Sequence, residues 1–395
     1  MFQKISIENY KSIKSLPDFE MKPVNILIGA NNAGKSNFLD VFAFLRDTLT
    51  LSLIQKYEEY SGGGYFNHII KDGGWREAIT KRGGTSSICH NREGFFGIDV
   101  SSELFNYSLK IFRGGVNAEI GEEKLVRNKD ATPILERDRH GNTDFRLRNG
   151  EVKKFNQLEN RGMTGLNDAL CSKVIDEAAI AFAQKLFEIK IYNRIHTEND
   201  SPIRAPKIPK GETILDEDGG NLVGVLHQLS QTEPCFLARL SSLLNVVFDD
   251  FAQISFPSGN EGELLIRWED KSGRISNASQ LSDGTLKFLC LIAILKNPNP
   301  PAFIGIDEID ANLHPKMQAV LADIIGEISN KTQLVATTHN PDFLSMFSPD
   351  EIVVLVKHRG ETELRRFSTK GALDLWMKHF GTRKLWLMGE LESRW

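Results

Sequence analysis

The chain has 395 residues, enough for one large domain or two ordinary ones. Its 41% hydrophobic and 25% charged residues exclude a disordered or collagen-like chain. A formal net charge of -4 excludes a global attraction to nucleic acid or to an anionic membrane, though not a local basic patch.

The N-terminus, MFQKISIENYKSIK, lacks the apolar core of a signal peptide. No apolar stretch reaches the roughly 18 residues of a membrane span, so a cytoplasmic protein is expected. Residues 2–8 alternate apolar and polar side chains, which predicts a strand, and the apolar run 24–29 predicts a buried one. A Gly-rich turn and a helix over 35–57 follow. Between 58 and 150, glycine pairs and triplets punctuate short alternating runs such as 95–101 and 107–113, the pattern of an antiparallel meander. A helix is predicted over 165–187. Residues 200–211 carry three prolines and read as an extended connector. Helices are predicted over 219–230 and 234–249, with Pro234 at a first helical position. Strands at 252–257 and 263–269 precede a helix over 283–295, a strand at 302–307, a helix over 315–329, and strands at 333–338 and 351–357. This late alternation predicts an α/β fold with a parallel sheet near the C-terminal end. There is no internal repeat and no heptad run long enough for a coiled-coil arm. Cys89, Cys171, Cys235 and Cys290 form no metal-binding or disulfide pattern and are expected to be reduced, buried thiols.

The strongest chemical signal is Gly29-Ala30-Asn31-Asn32-Ala33-Gly34-Lys35-Ser36, which fits Gly-x-x-x-x-Gly-Lys-Ser without mismatch. Small residues let backbone N–H groups curl around phosphates. Lys35 brings positive charge to the β- and γ-phosphates of ATP, Ser36 ligates Mg²⁺, and the helix N-terminus through Asn37 adds its dipole. The apolar strand 302–306 ends in Asp307 and Glu308. Asp307 suits Mg²⁺ and Glu308 suits the base that activates water, although an acidic turn after a strand is common. A second strand ends at His339, placed to sense the γ-phosphate; alone, such a histidine reads as solvated or packed. Ser282 and Asp283 precede an apolar helix and can simply cap it, but a helix N-terminus is itself an anion site.

Gly29–Ser36, then Leu281-Ser282-Asp283-Gly284, then Asp307-Glu308, then His339 resembles, in that order, ABC-type ATPases of the SMC/RecF/OLD branch. Asn9-Tyr10-Lys11-Ser12, Gly219-Gly220-Asn221-Leu222-Val223 and Ala311-Asn312-Leu313-His314-Pro315 resemble further elements of that branch. Asp283 and Thr285 depart from the transporter signature Leu-Ser-Gly-Gly-Gln. The specific motifs cover about residues 1–57 and 276–358; the lobe-switching glutamine of the family is not placed. The resemblance implies an ABC-type P-loop head with a mixed sheet, an antiparallel meander lobe and a helical lobe. Lobe I would comprise about 1–160 and 300–370, lobe II about 161–299, and a Trp-rich tail 371–395. It implies catalytic Lys35, Glu308 and His339, with ATP held by Gly29, Asn31, Asn32, Ala33, Gly34, Lys35, Ser36 and Asn37. It implies Mg²⁺ on Ser36 and Asp307. It also implies a head-to-tail dimer in which Ser282 and Gly284 contact the γ-phosphate bound at the other copy's Lys35.

Stand-alone heads of this branch resemble the ATPase components of bacterial anti-phage systems, so a separately encoded effector, such as a nuclease, is an expected partner. A RecF-like ATPase that clamps DNA in repair or replication, a transporter's cytoplasmic ATPase, and a slow ATP-binding sensor remain open readings. Residues 124–161 hold ten Lys/Arg against six Asp/Glu, which reads as a DNA-backbone footprint or as a solvated face. Trp376, Trp386 and Trp395 read as a partner surface or as a packed terminal helix.

Overall fold

Alternation at the N-terminus places Ile5 and Ile7 on one buried face of β1 (Phe2–Tyr10), which pairs antiparallel with β2 (Ile13–Glu20). The computed structural model describes residues 1–55, 95–114, 117–147, 149–155, 165–166, 177–259 and 261–366. Two compact units divide it: residues 1–191 with 349–395, and residues 192–348.

In the first unit β3 (Val24–Gly29) is buried along its whole length and leads through the Gly-rich turn into α1 (Lys35–Gln55). β4 (Phe95–Ser102), β5 (Phe105–Gly114), β6 (Asn117–Arg127), β7 (Thr132–Arg137), β8 (Thr143–Arg146) and β9 (Val152–Phe155) form the expected meander. It joins the N-terminal hairpin in one antiparallel sheet of order β2-β1-β4-β5-β6-β7-β8-β9. Phe38 and Phe42 of α1 are fully buried, and Tyr10, Phe44 and Phe96 pack edge-on or tilted with centroids 5.2–5.9 Å apart. Each buried phenyl ring contributes about 1.5–3 kcal/mol, so this aromatic cluster is what holds α1 against the N-terminal strands. α2 (Glu177–Phe187) ends this part of the chain.

The second unit opens at Tyr192, the last residue of β10 (Lys190–Tyr192). Its helices are α3 (Leu222–Thr232), α4 (Phe236–Val247), α5 (Asp283–Leu295), α6 (Pro315–Ile328) and the short α7 (Pro341–Leu344). β11 (Phe251–Ser255), β12 (Arg267–Asp270) and β13 (Ile275–Asn277) make a small antiparallel sheet, closed by Trp268 against Phe248 and Phe251. β14 (Phe303–Ile306) and β15 (Gln333–Thr338) pair in parallel, Phe303 opposite Gln333 and Ile306 opposite Ala336. α5 is apolar all round and buried from Leu286 to Leu295 except at Lys287, as a core helix must be. The chain then returns to the first unit. β16 (Ile352–His358) pairs parallel with β3, and β17 (Glu361–Arg366) antiparallel with β16.

Several expectations need correction. The sequence carries no clear strand signal for β2, β10, β13 or β17: Pro17 and the polar run ETELRR hide the period-2 signal, and β10 and β13 are only three residues long. The strand expected over 263–269 is regular only from Arg267. α4 starts at Phe236, so Pro234 lies before its N-cap rather than at the first helical position. That cap, Cys235, has φ 65° and is exposed, unlike buried Cys290; Cys89 and Cys171 lie outside the described residues. Of the helix expected over 165–187, 177–187 is described as α2, and residues 167–176 lie outside the description. So do residues 58–94 of the expected meander and the three C-terminal tryptophans. No helix among the described residues is long and apolar enough to cross a membrane.

Candidate functional site: a phosphate loop and an acidic turn

The phosphate loop belongs to the first unit. β3 ends at Gly29, where a Cβ would approach Leu355 O of β16 to 2.5 Å, so only glycine lets the two strands lie this close. The turn uses positive φ at Asn32 (66°) and Gly34 (100°). A side chain at Gly34 would collide with the hydroxyls of Thr362 and Ser12. Those hydroxyls fasten the loop. Thr362 Oγ1 donates to Ala33 O at 2.9 Å and lies 2.7 Å from Ser12 Oγ, which also accepts from Asn37 Nδ2 at 2.7 Å. Lys35 is buried and its Nζ donates to Gly29 O at 2.9 Å and Ala30 O at 3.1 Å. The first-turn N–H groups of α1 lie at the positive end of the helix dipole, which suits a phosphate. Ser36 is exposed beside them. The nearby Asn-Tyr-Lys-Ser run also braces α1: Lys11 Nζ lies 2.6 Å from Asp40 Oδ2, to which Tyr10 OH also donates.

The acidic turn belongs to the second unit. Parallel pairing of β14 and β15 aligns their C-terminal ends, so Asp307-Glu308 meets Thr337. The Thr337 hydroxyl donates to Asp307 Oδ1 and accepts from Glu308 N at 2.7 Å. Glu308 has φ 47°, a conformation that costs a non-glycine residue about 1–3 kcal/mol. It is held there by Ile309 N donating to Thr337 O at 3.0 Å and by Lys287. Lys287 Nζ donates to Glu308 O at 2.7 Å and Ala311 O at 2.9 Å. Burial lowers the Lys287 pKa, against the opposing pull of Asp310, Glu308 and Asp307. Burial likewise raises Asp310, partly offset by hydrogen bonds from Thr338 and Asn340. The Glu308 carboxylate is 60% exposed, and His339 Nε2 lies 3.9 Å from its Oε1.

Ser282 is exposed at the N-cap of α5 and accepts from Thr285 N at 3.2 Å, so the capping reading holds in its literal sense. Gly284 is required: a Cβ would approach Asn312 O, in the loop after the acidic pair, to 2.5 Å. Asp307, Glu308, His339, Ser282 and Gly284 therefore share one unit, while Gly29, Asn31, Asn32, Ala33, Gly34, Lys35, Ser36 and Asn37 share the other. The lobes expected from sequence divide at about 160 and 300, whereas the compact units divide at 191/192 and 348/349. Ser12, Thr337, Thr362 and Lys287 were not read as functional. Only Ser12 carried a signal, in the Asn-Tyr-Lys-Ser run.

The residues 24–345 match the family described as "AAA domain, putative AbiEii toxin, Type IV TA system". The chain belongs to this AAA-domain family. It is similar to the "Retron Ec83 probable ATPase" of Escherichia coli, 23% identical over 94% of this chain and 74% of the relative. It is 22% identical to an "ATP/GTP phosphatase" of Helicobacter pylori, over 89% and 88% of the two chains. The Smc head bound to the C-winged helix domain of ScpA superposes with a TM-score of 0.51 at 15% identity, covering 94% of this chain and 99% of that one. The fold is thus that of an SMC head.

The Mg²⁺ implied for such heads needs hard oxygen donors. The exposed Ser36 hydroxyl in the first unit and the half-exposed Asp307 carboxylate in the second are each donors of that kind. Among the described residues no group of three or more His, Cys, Asp or Glu could hold a metal, so substrate phosphates and water would complete the sphere.

Several cations of the basic stretch are paired with carboxylates. Lys124 pairs with Glu136 (2.9 Å), Arg139 with Glu122 (2.8 Å), Arg127 with Asp130 and Lys154 with Asp144 (both 3.5 Å), and Arg137 is buried. Arg148 and Arg161 lie outside the described residues.

Proposed function

We propose that the chain hydrolyses Mg-ATP, that two copies close head to tail on the nucleotide, and that this closure licenses a separately encoded effector in antiviral defence. The observation that carries the chemistry is the Thr337 hydroxyl bridging Asp307 and Glu308 beside His339. Lys35 and the first-turn N–H groups of α1 would bind the β- and γ-phosphates, and Ser36 and Asp307 would hold Mg²⁺. Bound Mg²⁺ would neutralise charge developing on the phosphate oxygens. Glu308 would orient the attacking water and take its proton. His339 would hydrogen-bond the γ-phosphate and register its loss. Ser282 and the N-terminus of α5, exposed on the second unit, would complete the other copy's site.

The defence role is supported by a retron ATPase and a toxin-system family among the similarities. The test is Glu308→Gln. Turnover is expected to fall by about 100- to 10,000-fold, the usual span for loss of a general base. ATP binding should be kept, and an ATP-bound dimer should accumulate in size-exclusion chromatography with light scattering. A variant that stays monomeric at saturating ATP rejects the shared-site reading. The effector is identified by the protein that co-purifies with that trapped dimer; a trapped dimer that retains no protein partner argues for the DNA-clamp alternative.

A further inference from the structure

The loop before the signature helix is held by one side chain from a distant part of the second unit. Arg204 sits in the proline-rich segment, its side chain 7% exposed. Nη1 donates to Leu281 O (2.8 Å), Ala278 O (3.1 Å) and Ser279 O (3.3 Å). Nε donates to Thr197 O (2.8 Å) and Glu198 O (3.1 Å), tying the guanidinium to its own segment. Nη2 meets Asp283 Oδ1 at 2.5 Å. A planar five-donor fork is the only side chain that can do this, and a lysine ammonium cannot.

Asp283 poses an electrostatic problem. A carboxylate in the first turn of α5 favours the helix dipole, but it opposes a phosphate arriving at the same N-terminus. The Arg204 pair cancels that charge while the Leu281 carbonyl contact sets the peptide that carries Ser282. We infer that Arg204 is the positioning residue of the signature turn, fixing Ser282 and neutralising Asp283 so that the turn can accept the γ-phosphate held by a second copy. This rests on the reading of Ser282 as a γ-phosphate contact.

Three variants test it. Arg204→Lys keeps the charge but loses the fork. Its affinity for ATP as a monomer should stay within about twofold of wild type, because the phosphate loop lies in the other unit. Dimerisation on ATP and kcat should drop, kcat by up to about 100-fold, the scale set by a misplacement of about 1 Å. Asp283→Lys, at a site 53% exposed, adds positive charge yet repels Arg204. It should also weaken dimerisation and kcat, whereas simple phosphate attraction predicts a gain. Ser282→Arg reports on the underlying reading. If Ser282→Arg blocks dimerisation while Arg204→Lys and Asp283→Lys behave as wild type, Arg204 has no positioning role. If Ser282→Arg is itself inert, the signature reading falls and this inference with it.

Discussion

Thr337 shows how one hydroxyl can organise an acidic turn. It donates to Asp307 and accepts from the Glu308 N–H, so it sets both the carboxylate and the backbone of the base. Thr337→Val keeps the shape and removes both bonds. It should cost about 1–3 kcal/mol of stability for the stranded N–H. It should also lower kcat by at least about tenfold with little change in ATP affinity, read by phosphate release and by nucleotide titration. At the phosphate loop the steric case is as direct. Gly34 has φ 100° and faces two hydroxyls, so Gly34→Ala should destabilise the loop by about 1–3 kcal/mol and weaken ATP binding. Thermal melts with and without ATP would show the ligand-induced rise in Tm shrinking. Lys35→Ala should abolish that rise.

β17 and β6 carry devices that belong to elements rather than to single residues. β17 is polar and lies at the end of the described chain, yet it delivers Thr362 to the phosphate loop through its pairing with β16. Thr362→Val should therefore loosen ATP binding although Thr362 contacts no expected ligand position; isothermal titration would read it. On β6, Glu123 is buried and accepts hydrogen bonds from Tyr107 OH (2.9 Å), Gly165 N (2.6 Å) and Leu166 N (3.0 Å). Burial is the main cause that raises its pKa, with those bonds and Arg137 opposing. Folding thus favours its protonated form. Native protein binds more protons than unfolded protein between the ordinary Glu value, about 4.3, and the raised native value. Stability from this group is present below that window and lost as pH rises through it. Glu123→Gln should flatten that limb in urea melts taken from pH 4 upward.

At the scale of the whole molecule, charge and division decide what can be asked. Several of the meander's cations, Lys154 among them, are matched by Asp or Glu, so Lys153→Glu with Lys154→Glu should leave nucleic-acid affinity at low salt unchanged; a loss of affinity would revive the DNA-footprint reading. The chain leaves the first unit after Ile191 and returns at Pro349. The residues proposed for catalysis are thereby divided between two units, the phosphate loop in one and the acidic turn in the other.

The phosphate loop, the acidic pair and the strand ending at His339 were readable from the linear chain because their chemistry is local. Short apolar strands end in the residues proposed to act, and their spacing marks them out. The same holds for the buried α5, whose apolar run has no polar face. Arg204, Thr362 and Lys287 left no such trace. Arg204 reaches carbonyls 74 to 77 residues away, and Thr362 reaches Ala33 across 329 residues. Such contacts depend on strand register and on which carbonyls a fold leaves without a backbone partner. Neither periodicity nor composition records that, so the groups proposed to act are visible in the chain and the groups that hold them in place emerge only from the packed fold.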